Sequence, residues 1–216
     1  MGAKRRKLSN PLALAVMALL SERPMHPYEI ARTLRQRGKE NSVKINFGSL
    51  YTVVQNLQKH GYVEVADVQR QGNRPERTLY GLTGAGREEM LDWLADLVAV
   101  PAREFPLFET ALSLVGVLPP DEVVVLLEER LAKLDVEYAA GRAVLTRLGK
   151  TLPRLFVVET EYALHMTAAQ ADWIRGLLRE MAEGTLTGID DWRRLHETGE
   201  TPEEWRKLEG EDPLEP

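Results

Sequence analysis

Between residues 10 and 60 the apolar side chains recur at steps of three and four in three short runs, each bounded by a helix start and a helix stop. Asn10 before Pro11 opens the first, since an Asn side chain accepts from free amides and proline fits the first helical position. Leu12, Val16, Leu19 and Leu20 form its stripe, and the Ser21 to Pro24 stretch ends it. Pro27 opens a second helix through Tyr28, Ile30, Ala31 and Leu34, closed by Gly38. A third begins near Asn46, carries Phe47, Leu50, Val54 and Leu57 inward, and stops at Gly61.

The period then changes from about 3.6 to 2. Tyr62 to Val65 alternates as a strand, Gln69 to Pro75 is a polar turn, and Thr78 to Leu82 returns as the second strand of a hairpin. Thr83 caps a fourth helix with the apolar set Met90, Leu91, Trp93, Leu94 and Leu97. Phe105 to Leu118 reads as a short helix ended by Pro119 and Pro120, with Asp121 placed to help start the next.

From Val124 the positions Leu127, Leu131, Leu134, Tyr138, Gly141, Leu145 and Leu148 make a heptad seam. After a break at Gly149 to Pro153, a second long helix shows Leu155, Val158, Tyr162, Met166, Ala169, Trp173, Leu177 and Met181 at similar spacing. Each helix is about 30 residues, hence about 45 Å long, and one chain would leave much of the seam wet. The expectation is a two-fold dimer, with Leu127, Leu131, Leu134, Tyr138, Tyr162, Met166 and Trp173 as its contacts. The fold class is therefore mostly α: an N-terminal winged helix-turn-helix of three helices and a β-hairpin wing, then a long-helix dimerisation domain. The expected division is 1–90 for the winged domain, 91–190 for the dimerisation domain and 191–216 for an acidic, flexible tail.

Charge sharpens this division. Residues 1–80 carry 14 Lys and Arg against 6 Asp and Glu, a net +8, while the remainder carries 14 against 27, a net −13. A basic module joined to an acidic one points to a polyanion as partner of the first half, because cations that neutralise phosphates release condensed counterions. The chain has no cysteine, which removes disulfides, thiolate metal sites and cysteine nucleophiles. With no apolar run of membrane-spanning length and no cleavage site after the basic start, a cytoplasmic location is expected.

On the third helix, Ser49, Thr52, Gln55, Asn56 and Lys59 point away from the apolar stripe, with Tyr51 at the edge. Gln and Asn can grip adenine in two places, Ser and Thr adapt, and Lys and Tyr reach the backbone. The wing adds Arg70, Asn73, Arg74 and Arg77 as phosphate donors. These ten residues are the candidate DNA contacts, with double-stranded DNA as the partner.

Particular residues also match a family pattern. They are Leu14, Leu19 and Leu20 in the first helix; Pro24, His26, Tyr28, Glu29 and Ile30 at the second; Gly48, Ser49, Leu50 and Tyr51 with Leu57 and Gly61 at the third; and Arg77, Tyr80, Leu82, Thr83 and Gly86 from the wing onward. In that order and spacing, residues 8 to 90 resemble the PadR-like transcription regulators. Pro27 departs from the glycine the family usually carries after the histidine, and proline suits a helix start. The C-terminal half resembles the longer-tailed members by arrangement and by Ala171, Asp172 and Trp173.

The resemblance implies a sequence-specific DNA-binding regulator, a homodimeric repressor released by a small-molecule effector, with no enzymatic activity and no cofactor. Family members that sense phenolic or drug-like compounds imply an aromatic effector, for which Trp93, Phe108 and Trp173 are the candidate contacts. The competing reading is a helical protein-interaction module whose winged helix contacts protein. Glu161 and His165 stand four apart, but with no third ligand they do not make a metal site, and Gly81, Gly84 and Gly86 lack the lysine of a phosphate loop.

Overall fold

A computed structural model describes residues 10–69 and 77–208 of the chain. The order is α1 (Pro11–Leu20), α2 (Pro27–Gln36), α3 (Phe47–Lys59), β1 (Val63–Gln69), β2 (Arg77–Leu82), α4 (Gly84–Ala99), α5 (Leu107–Ser113), α6 (Pro120–Leu148), α7 (Val158–Glu183), α8 (Ile189–Thr198) and α9 (Glu203–Leu208), with single 3-10 turns at Lys39–Asn41, Val115–Val117 and Arg154–Phe156. The fold is mostly helical, with one antiparallel hairpin. No helix of the described residues is long and apolar enough to cross a membrane.

The expected helix starts are made by the expected groups. Asn10 Oδ1 accepts from the Leu12 amide at 3.0 Å, with Pro11 at the first helical position. Asn46 Oδ1 accepts from the Gly48 amide at 3.0 Å, and Gly61 follows α3 in the left-handed conformation at φ 74°. Pro27 is buried as the first residue of α2, so its departure from the family pattern leaves the helix entry intact.

Two compact units part between Glu104 and Phe105. In the first, α1 is buried nearly all round, through Leu12, Ala13, Val16, Met17, Leu19 and Leu20, and packs with Ile30, Leu34, Leu50, Val54 and Leu57. The strands pair from Val63 opposite Leu82 to Gln69 opposite Arg77, with an irregularity between Val65 and Asp67. A bridge not foreseen in the sequence fixes the hairpin to the helices: Met25 and Tyr80 exchange both backbone hydrogen bonds at 3.0 Å. Helix α4 runs through position 90 because Met90 and Trp93 are buried in this core, whereas Leu91, Leu94 and Leu97 of the expected apolar set are about half exposed.

In the second unit α6 and α7 form the expected helical hairpin, but the apolar positions divide differently. Leu127 and Leu134 are buried inside the single chain, with Leu131 partly so, against Ala171, Ile174 and Met181 of α7. Leu127 and Leu134 thus pack in the core of the hairpin within one chain, whereas Leu131 keeps part of its surface exposed. Tyr138 is half-buried, while Tyr162, Met166 and Trp173 stay half or more exposed. Gly141 sets the closeness of the crossing, since a Cβ there would lie 2.5 Å from Leu164 Cδ2.

The segment expected as one helix over Phe105 to Leu118 is instead α5 followed by the Val115–Val117 turn. Within the stretch 191–216 expected as a flexible tail, the described residues include most of α8 and all of α9. Helix α8 is held because Ile189 and Trp192 are buried in the hairpin core. The Trp192 indole N–H donates to the Leu118 carbonyl at 3.0 Å, and His196 Nε2 lies 3.0 Å from the Gly116 carbonyl oxygen.

Candidate nucleic-acid interface

Helix α3 has two faces of opposite character. Leu50, Val53, Val54 and Leu57 are buried, and Val53 adds to the inward set read from the sequence. The side chain of Phe47 lies outside the described ones. Thr52, Gln55, Asn56 and Lys59 are exposed together on the opposite face, with Tyr51 exposed at its edge, as the helical period requires. Ser49 is half-buried, and its hydroxyl donates to the Asn46 carbonyl at 2.9 Å, closing the first turn.

Gln55, Asn56 and Lys59 make no side-chain hydrogen bond among the described residues. Their polar groups therefore carry no internal structural load and are open to an external partner. Gln58 is exposed on the same helix, outside the set chosen from the sequence.

Next to this face, His26 caps α2: its Nδ1 accepts from the Tyr28 amide at 3.1 Å. Its ring stands edge-on to Tyr51, with centroids 6.4 Å apart. Burial, and then the positive charge of Arg77, push the His26 pKa below the usual histidine range, against the opposing pull of Glu29. A neutral ring accepting at Nδ1 carries its proton on Nε2 and remains a donor. Arg77 leads β2 and is exposed. The other wing candidates, Arg70, Asn73 and Arg74, lie outside the described residues.

The aromatic effector candidates are distributed over the two units. Trp93 is buried in the core of the first. In the second, Phe108 and Trp173 meet edge to face at 6.3 Å, and the Arg130 guanidinium sits 3.8 Å above the Phe108 ring. Arg130 Nε is buried without a hydrogen-bond partner among the described residues. Glu161, considered with His165 as a metal pair, instead receives both oxygens' hydrogen bonds from Arg154 Nε at 3.1 and 3.0 Å.

Residues 16–92 match the model of the transcriptional regulator PadR-like family. Among curated proteins, no sequence matches the chain. Several solved structures share its fold. Bacillus subtilis PadR in complex with operator DNA superposes with a TM-score of 0.64 at 19% identity, over 79% of this chain and 98% of that one. The same protein in complex with p-coumaric acid gives 0.64 at 17% identity, over 78% and 96%. The Vibrio cholerae virulence activator AphA gives 0.60 at 17% identity, over 80% and 98%.

Proposed function

We propose that the chain is a homodimeric repressor reading duplex DNA with α3, a reading supported by the match of residues 16–92 to the model of the transcriptional regulator PadR-like family. The observation that carries this reading is the segregated face of α3, where Thr52, Gln55, Asn56 and Lys59 stand exposed on a module of net positive charge. Two copies would present two such helices to successive major grooves, with the wings over the adjacent backbone. DNA binding is assigned to the first unit and self-association to the second.

Support for a dimer comes from the apolar stripe of α7. Val158, Tyr162, Met166 and Trp173 are 46%, 68%, 51% and 50% exposed at helical spacing, an apolar row that a second copy would cover. Met166→Glu places a charge in that surface. It is expected to raise the dimer dissociation constant tenfold or more, about 1.4 kcal/mol, while leaving the hairpin folded. Sedimentation equilibrium measures it, and an unchanged dimer would remove α7 from the interface.

For the effector, Bacillus subtilis PadR with p-coumaric acid supplies the chemical class, a phenolic acid. Here Phe108 and Trp173 offer ring faces, and the Arg130 guanidinium offers a cation with an unsatisfied donor. Trp93 is assigned no part in this site, because it is committed to the core of its own unit.

The test is a mobility-shift titration on the region upstream of the chain's own gene at rising salt, with and without p-coumaric acid. Binding should weaken steeply as salt rises, with a log-log slope near the number of phosphates neutralised, and the acid should release the DNA. Absent or salt-insensitive binding would favour the protein-interaction reading instead.

A further inference from the structure

A concavity of about 660 Å³ opens beside α3, at the N-terminal end of α2. His26, Tyr28 and Arg32 line it from α2 and its cap, Tyr51 from α3 and Arg77 from β2. Three elements far apart in sequence thus bring hydrogen-bond donors to one place. Arg32 and Arg77 alone contribute two positive charges.

The ion pairs around α2 set these two apart. Arg23 holds Glu29 at 2.5 Å, Arg37 holds Glu22 at 2.5 Å, and Arg35 lies 3.7 Å from Glu40. Arg32 and Arg77 have no carboxylate partner among the described residues. Glu29 is the single acid on the wall of the concavity, and Arg23 neutralises it. The α2 dipole presents its positive end on the same side. A planar guanidinium fork matches phosphate oxygens, and two cations lining one concavity raise the local positive potential that attracts an anion.

We propose that this concavity seats one backbone phosphate of duplex DNA, held by Arg32 and Arg77 with His26 Nε2–H as a further donor. The inference rests on the DNA-binding reading above and deepens it. It adds Arg32 and His26 to an interface that the sequence confined to α3 and the wing. With the phosphate docked here, α3 is held at one register along the groove, which is the ordinary task of backbone contacts.

The test compares Arg32→Ala and Arg32→Lys with the wild-type full chain, by fluorescence anisotropy on the upstream promoter and on a duplex of unrelated sequence. Salt is varied from about 50 to about 200 mM. Arg32→Ala should weaken both duplexes by the same factor and reduce the log-log salt slope by about one unit, while Arg32→Lys keeps the slope. Arg32 is exposed, so its melting temperature should stay at the wild-type value. A wild-type slope for Arg32→Ala, with wild-type affinity on both duplexes, would overturn the phosphate seat and leave the DNA-binding reading standing. Weakening confined to the promoter would also overturn it, by making Arg32 a base contact. Failure of the wild-type chain to bind either duplex would overturn the reading beneath it, and the seat with it.

Discussion

Gly86→Ala is expected to destabilise the N-terminal unit by about 3 kcal/mol or more, because the added methyl has nowhere to go. A Cβ at Gly86 would lie 2.0 Å from the Tyr62 carbonyl oxygen and 2.8 Å from both the Tyr62 carbonyl carbon and Leu82 Cδ1. Leu82 can rotate away, but the Tyr62 carbonyl is fixed, since it accepts the Thr83 amide at 3.0 Å. Thr83 ties the same corner twice more, donating its hydroxyl to the Gly61 carbonyl at 2.7 Å and accepting the Gly86 amide at 3.0 Å. Relieving the clash means moving α4 off the end of α3 and the start of β1, which exposes Met90 and Trp93.

Urea denaturation followed by circular dichroism measures the loss. Gly84→Ala is the internal control: nothing lies within 4 Å of its would-be Cβ, and alanine favours the helix. That variant should match or slightly exceed wild-type stability. Equal stability of the two variants would mean that α4 does not pack on the backbone at Tyr62 in solution.

The second large effect is on affinity. Replacing Gln55, Asn56 and Lys59 together by alanine is expected to weaken promoter binding at least a hundredfold, about 2.7 kcal/mol, since each bidentate base contact is worth about 1–3 kcal/mol. Binding to unrelated duplex should fall far less, by the one phosphate contact assigned to Lys59, and the salt slope should drop by about one. All three side chains are exposed and lack side-chain hydrogen-bond partners among the described residues, so the thermal melt should not move. Promoter affinity that survives the triple substitution would mean that α3 is not the reading helix.

The two affinity experiments answer separate questions. Loss of discrimination follows the Gln55 and Asn56 groups, which face outward from α3, while a uniform loss follows Arg32 at the concavity. Sequence-specific DNA binding needs both, because phosphate contacts fix register and base edges give sequence.

Much of the N-terminal unit was readable before any coordinates. Asn10, Asn46 and Thr83 cap their helices through side-chain acceptors, and each acts on an amide two or three residues away. Such signals are local, and a sequence displays them directly. The outward face of α3 was legible for a related reason: one face is wholly apolar, so the period has a single solution. The signal that could have found the concavity was weaker. Tyr28 and Arg32 stand four apart on the exposed side of α2, but nothing local links them to Arg77.

Helix α7 shows where periodicity stops deciding. It carries two apolar rows at helical spacing, one through Tyr162, Met166 and Trp173 and another through Leu164, Ala171, Ile174 and Met181. Either could face α6. The second does, at the point where Gly141 lets Leu164 approach, and the first is left outside. Helix α8 is hard to read from the sequence for a similar cause, because its side chains bond to the Leu118 and Gly116 carbonyls, more than 70 residues earlier in the chain.

The sequence by itself determined the helix starts and stops, the hairpin and the polar face of α3, because caps, turns and amphipathic period act within a few residues. Only the tertiary structure decided which row of α7 is core, that residues 189–198 are a packed helix, and that Arg32 and Arg77 share one concavity with His26. Burial of apolar area and the pairing of charge depend on what arrives from elsewhere in the chain, and a one-dimensional pattern leaves that choice degenerate.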